Sequence, residues 1–113
     1  MYYSHNLHFL CYSQMMEGRE RDSMRSAREL ERHVPLAIVR QMPTAEHMVP
    51  MPLMVEARFG EWNQILREPA TPADLKFAHA FWNYARGLAF AAQGNFAAAD
   101  RERTSLKHAI ARF

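Results

Sequence analysis

The sequence predicts an all-α domain. Three observations lead there. Apolar residues recur at spacings of three and four along most of the chain. Glycines punctuate those runs where a helix would end. No segment shows the strict alternation or the Asn-Gly turn of a β-hairpin. The length of 113 residues suits one domain, 1–113, with 49% hydrophobic and 23% charged residues, a globular and not a disordered composition.

Tyr3, Leu7, Leu10, Cys11 and Met15 place a first helix, closed by Gly18. Met24, Ala27, Leu30 and Val34 form the stripe of a second, which Pro35 stops. A short helix is expected before Pro43, then a turn. A third long segment starts near Pro50 or Pro52 and ends at Gly60, and a short helix runs from about Glu61 to Arg67, limited by Pro69. In "ATPADLKF", Thr71 is the expected N-cap, Pro72 the first helical residue and Asp74 a favourable charge at the positive helix end. Phe77, Phe81, Tyr84, Leu88 and Ala91 make the stripe of that helix, which Gly94 closes. Phe96, Ala99, Leu106, Ile110 and Phe113 follow on the last helix.

The turns "MMEGRERDSM", "ARFGEWNQIL" and "AAQGNFAAAD" share one plan: an apolar helix, a glycine, and a second helix two residues on. Gly18 and Gly60 are 42 residues apart, with a proline-rich stretch between them; Gly60 and Gly94 are 34 apart. A helical hairpin repeated every 34 residues is the tetratricopeptide (TPR) spacing. Trp62 is then the first anchor of a second helix that packs back on the first. In the last unit, Tyr84, Gly87, Gly94, Phe96 and Ala99 resemble the TPR series of aromatic, small crossing residue, turn glycine, aromatic and small crossing residue. In the first unit, Gly18 and Pro35 match the turn glycine and closing proline, with Cys11 and Ala27 as small crossing residues. The middle unit matches through Gly60, Trp62 and Ile65. The family's Trp-Leu-Gly run is absent, Trp82 standing one place away. "HNLHFL", "RFGEWNQIL" and "YARGLAFAAQGNFAAA" resemble pieces of large bacterial TPR-containing proteins. The resemblance implies a TPR-like α–α superhelix of three hairpins, approximately 2–35, 45–68 and 72–113, the middle one degenerate. A hairpin alone cannot bury its apolar faces, whereas a stack of three builds a continuous core.

Chemistry is sparse. His5 and His8 share a helical face and would supply two metal ligands, with His47, His79 or Cys11 as distant completions. The simpler reading is that they pack or face solvent, and no metal or cofactor is expected. Cys11 lies on an apolar stripe, where thiols are inert. No nucleophile elbow, phosphate loop or zinc-protease helix is present, so no catalysis is expected. Arg21, Arg25, Arg28 and Arg32 step along one helix face but stand among Glu17, Asp22, Glu29 and Glu31, the pattern of a solvated face and not of a nucleic-acid surface. The net charge is +2, and no apolar run approaches the roughly 20 residues of a membrane span.

In the fifth helix Phe77, Phe81 and Tyr84 read as core, while Trp82 and Phe90 lie off that stripe and pack on a neighbouring repeat or anchor a partner. By resemblance to TPR proteins, the first helix of each hairpin lines a groove, which nominates His5, His8 and Tyr12, and Asn83 and Arg86. The lysines of a carboxylate clamp are missing, since Lys76 and Lys107 fall outside the expected groove. The expected function is a non-catalytic scaffold for a protein or peptide, or for the remainder of a longer solenoid, with self-association through terminal hairpins. The alternative is a small helical metal- or ligand-binding domain using His5 and His8. One cysteine and no recognisable leader point to the cytoplasm.

Overall fold

A computed structural model describes residues 2–112. Among them are seven α-helices, one 3-10 segment and no strand. The helices are α1 (Tyr2–Met16), α2 (Glu20–His33), α3 (Leu36–Gln41), α4 (Met51–Arg58), α5 (Trp62–Arg67), α6 (Lys76–Ala92) and α7 (Phe96–Ile110), with the 3-10 segment at Pro43–Met48. Helices pair as α1 with α2, α4 with α5 and α6 with α7; α2 packs on α4, and both α4 and α5 pack on α6. The molecule measures 41 × 32 × 19 Å. Its short dimension is about two helix diameters, which makes a two-layer slab.

Each pair turns on the same peptide geometry. Gly18, Gly60 and Gly94 have φ of 76°, 70° and 79°, a left-handed conformation that glycine adopts without a Cβ clash. The amide after each glycine donates back five residues, Arg19 to Gln14 O, Glu61 to Glu56 O and Asn95 to Phe90 O, each at 2.9 Å. Each glycine amide donates back three residues, to Met15, Ala57 and Ala91. These are three Schellman closures. Arg19, Glu61 and Asn95 then have nearly equal backbone angles and begin the next helix. Asn95 also caps α7 by accepting from the Ala98 amide at 3.2 Å.

The main core gathers Leu7, Cys11 and Met15 of α1, Ala27, Leu30 and Val34 of α2, Val39, Met48, Met51, Val55, and Leu75 with Ala78 at the start of α6. A second cluster joins Leu53, Ile65, Ala85 and Ala89, with Trp62, Phe81 and Trp82 packed against it. Ile65 is the only residue α5 buries outright, and its truncation to Ala should cost about 2–5 kcal/mol.

The structure corrects several sequence expectations. The helix expected to start at Pro72, α6, starts at Lys76. Leu75 is drawn into the core, Asp74 pairs with Arg40 at 2.8 Å, and the Glu46 carboxylate of the 3-10 segment accepts from the Ala78 amide at 3.0 Å. A distant carboxylate therefore satisfies the helix start that Thr71 was expected to cap. The expected turn after Pro43 is the 3-10 segment. Tyr3 and Leu10 are exposed, so α1 buries a narrower stripe. The stripe Phe77, Tyr84 and Leu88 is also exposed, and α6 buries Ala78, Ala80, Ala85 and Ala89 instead. Small side chains let α6 approach its neighbours closely, and this leaves the large ones outside. Ile110 is exposed, and Phe113 lies outside the described residues.

Candidate interaction surface

The face α6 covers on the α4–α5 hairpin includes Leu53, Ala57, Trp62 and Ile65. Thirty-four positions later stand Gly87, Ala91, Phe96 and Ala99, and all four line a groove of about 400 Å³ between α6 and α7. Tyr84, Leu88 and Leu106 complete its apolar wall. No described element covers this groove: Phe96 is 70% exposed, Tyr84 46% and Leu88 36%. Gly87 sits at the helix crossing, where an added Cβ would meet the Glu102 Cβ at 3.6 Å and the Ala99 carbonyl oxygen at 3.9 Å. The Arg103–Asp100 ion pair, 2.7 Å, stands at the rim.

The α1 helix is apolar on its outer side as well. Phe9, Tyr12 and Met16 are exposed at 65%, 56% and 48%. With exposed His5 they follow steps of four, three and four, one continuous stripe opposite the buried face. The helix thus carries large apolar side chains on its exposed face as well as on its buried one.

The nominated partner-binding residues fall into two separate groups. On α1, His5 and Tyr12 are exposed, while half-buried His8 meets the ring of His47 edge-on with centroids 5.2 Å apart. Burial holds the His8 imidazole below its ordinary range, and His47 and His5 add to this. The Nδ1 of His47 donates to the Thr44 carbonyl at 2.8 Å. Among the described residues, no three His, Cys, Asp or Glu side chains gather as metal ligands do. On α6, Trp82 packs against the second cluster, and its indole N–H lies 3.4 Å from the Glu68 carbonyl. The Arg86 guanidinium stacks 4.8 Å over Trp82 and 5.2 Å from Phe90, and pairs with Glu102 at 2.9 Å. Asn83 is buried and donates to the His79 carbonyl. Trp82 and Arg86 thus tie α6 to α5 and α7, and Trp82 alone of the two lines a polar cleft with His79, Ser105 and His108.

Cys11 is fully buried, its thiol donates to the Ser23 carbonyl at 3.3 Å, and burial pushes it up to about 11. The arginine face of α2 is paired in large part, Arg25 with Asp22, Arg28 with Glu31 and Arg32 with Glu29. Arg28 also reaches past α2 to Glu68 and lies 3.9 Å from Glu56.

Sequence reasoning missed Glu56. It is 0% exposed, and neither of its carboxyl oxygens has a hydrogen-bond partner. Burial raises its carboxyl to about 8, nearby Glu68 adds to the rise, and Arg28 opposes it. The available signal was one acidic residue inside the apolar run "PLMVEARFG". No helix among the described residues is long and apolar enough to cross a membrane. Comparison with protein-family models, curated proteins and solved structures gives no match.

Proposed function

We propose that the chain is a non-catalytic, TPR-like scaffold that receives a helical protein segment in the α6–α7 groove. The observation that carries this reading is the 34-residue echo: Gly87, Ala91, Phe96 and Ala99 repeat, uncovered, the positions Leu53, Ala57, Trp62 and Ile65 against which α6 packs. A surface of this type already holds one helix inside the molecule. Its second occurrence is apolar, preformed and rimmed by charges, the anatomy of a helix-in-groove interface. The occupant is a partner protein, a further hairpin of the same solenoid, or the outer stripe of α1 from a second copy. The buried lone cysteine fits a cytoplasmic setting, which belongs to the same proposal.

The test is selection of helical peptides from a displayed library by the whole chain. Peptides with apolar residues at spacings of three and four should be enriched, and the double variant Leu88→Glu plus Phe96→Glu should lose them. Enrichment of no helical sequences, or equal retention by the double variant, would refute the reading.

A further inference from the structure

The three hairpins cross at corresponding points. Gly18 and Gly94 are 76 positions apart, and Gly60 and Gly94 are 34 apart. In the first pair the Cys11 thiol donates to the Ser23 carbonyl at 3.3 Å. The residues 76 positions on are Gly87 and Ala99, and a Cβ at Gly87 would lie 3.9 Å from the Ala99 carbonyl oxygen. The residues 34 positions before those are Leu53 and Ile65, which share one buried cluster. A residue of one hairpin therefore has a defined counterpart in the others.

These counterparts describe the helix that the α6–α7 groove would hold. On the α4–α5 hairpin the crossing is bulky, Leu53 and Ile65, and α6 meets it with two fully buried alanines, Ala85 and Ala89. On the α6–α7 hairpin the crossing is small, Gly87 and Ala99, and both line the groove. A helix seated there as α6 is seated on its neighbour needs a large side chain where Ala85 stands. The counterpart of Ala85 on α1 is Phe9, which is 65% exposed, and those of Phe81 and Ala89 are His5 and Ser13, also exposed. Small against large is thus exchanged for large against small, the interdigitation on which close packing depends. Charge agrees with shape. Among the described helices α1 alone has no Asp, Glu, Lys or Arg, so seating it desolvates no carboxylate, ammonium or guanidinium of its own.

We infer that the α6–α7 groove receives α1 of a second copy, in the register that sets Phe9 against Gly87 and Ala99. Naming this occupant rests on the groove being a receptor for helices, as proposed above. The contact is heterologous. Each copy gives α1 and accepts in its groove, so every pairing leaves one surface of each kind free, and association continues to open chains or a closed ring.

Mixing two variants tests this. Phe9→Glu spoils the inserted face, and Leu88→Glu plus Phe96→Glu spoils the groove. By light scattering each variant alone should be monomeric at concentrations where the natural chain associates. Their equimolar mixture should give a one-to-one dimer, because the groove of the first and α1 of the second are intact. Phe9→Ser, a milder change at the same exposed site, should weaken association about ten-fold or more, and it replaces Phe9→Glu in the mixture should circular dichroism show that variant unfolded. A mixture that stays monomeric, or a Phe9 variant that associates as the natural chain does, would overturn the assignment. The scaffold reading is tested apart from it, since Phe9→Glu keeps its groove and should still enrich helical peptides. Enrichment beside a monomeric mixture rejects the second copy alone; no enrichment and no pairing rejects both.

Discussion

Trp62 and Phe96 each stand two residues after a left-handed glycine and 34 positions apart, yet Trp62 packs into a cluster with α6 and Phe96 is 70% exposed. The difference is one of neighbours. Trp62 has the next hairpin against it, and Phe96 has no described element there. The same local geometry therefore makes a core contact once and an exposed apolar groove the second time.

Gly87 separates the two roles of that surface. Its site leaves ordinary contact distance for a Cβ, so Gly87→Ala should be neutral or more stable by up to about 1 kcal/mol, the usual helix-interior gain. Gly87→Leu should fill the groove and abolish capture of helical peptides while the α6–α7 hairpin persists. Thermal unfolding and peptide binding, measured together on both variants, check this.

The three turns should respond alike to substitution. No atom crowds an added Cβ at Gly18 or Gly94, and at Gly60 the Trp62 ring lies at a normal 3.7 Å. The cost of an alanine is then purely conformational, about 1–2 kcal/mol at each position. Urea denaturation of Gly18→Ala, Gly60→Ala and Gly94→Ala should give similar losses, with Asn variants costing less.

Glu56 sets a pH dependence of known sign. Its folded carboxyl titrates near 8 against an ordinary 4.5, so the folded chain holds this proton more tightly than the unfolded one. Stability should be greatest below about pH 4.5 as far as this group is concerned, and fall as pH rises through about 8. Glu56→Gln should remove that fall, giving a chain more stable than the natural one at pH 9 by on the order of 2 kcal/mol, and not at pH 4.5. Chemical denaturation at both pH values measures it.

Cys11 should resist alkylation in the folded chain. Its full burial and raised titration leave little thiolate, so iodoacetamide at pH 8 should react more than about a hundred-fold slower than with a free thiol. The rate should rise with urea in step with unfolding, as mass spectrometry can follow.

The helical class and the three glycine turns were legible because a left-handed closure demands glycine, which marks the place in the letters. Buried Ala27, Leu30, Val34 and Cys11 were legible through period alone. The sides of α6 were not. A stripe of Phe77, Tyr84 and Leu88 has the periodicity of a core, but the alanines on its flanks decided the packing by letting neighbours approach. Which of two periodic faces is buried depends on partners far along the chain, as does the capping of α6 by Glu46. Glu56 was hidden for a related reason: its burial arises where α2, α4 and the residue after α5 converge, and no local pattern records that.

If the apolar faces at α1 and at the α6–α7 groove are docking surfaces, two copies of the chain can engage each other through them, since each copy carries both. Light scattering over a concentration series tests it most directly. The expected result is a molar mass that climbs above 13.2 kDa with concentration and returns to the monomer value in Leu88→Glu plus Phe96→Glu. A chain that stays at 13.2 kDa at every concentration, with the double variant indistinguishable from it, would contradict the claim.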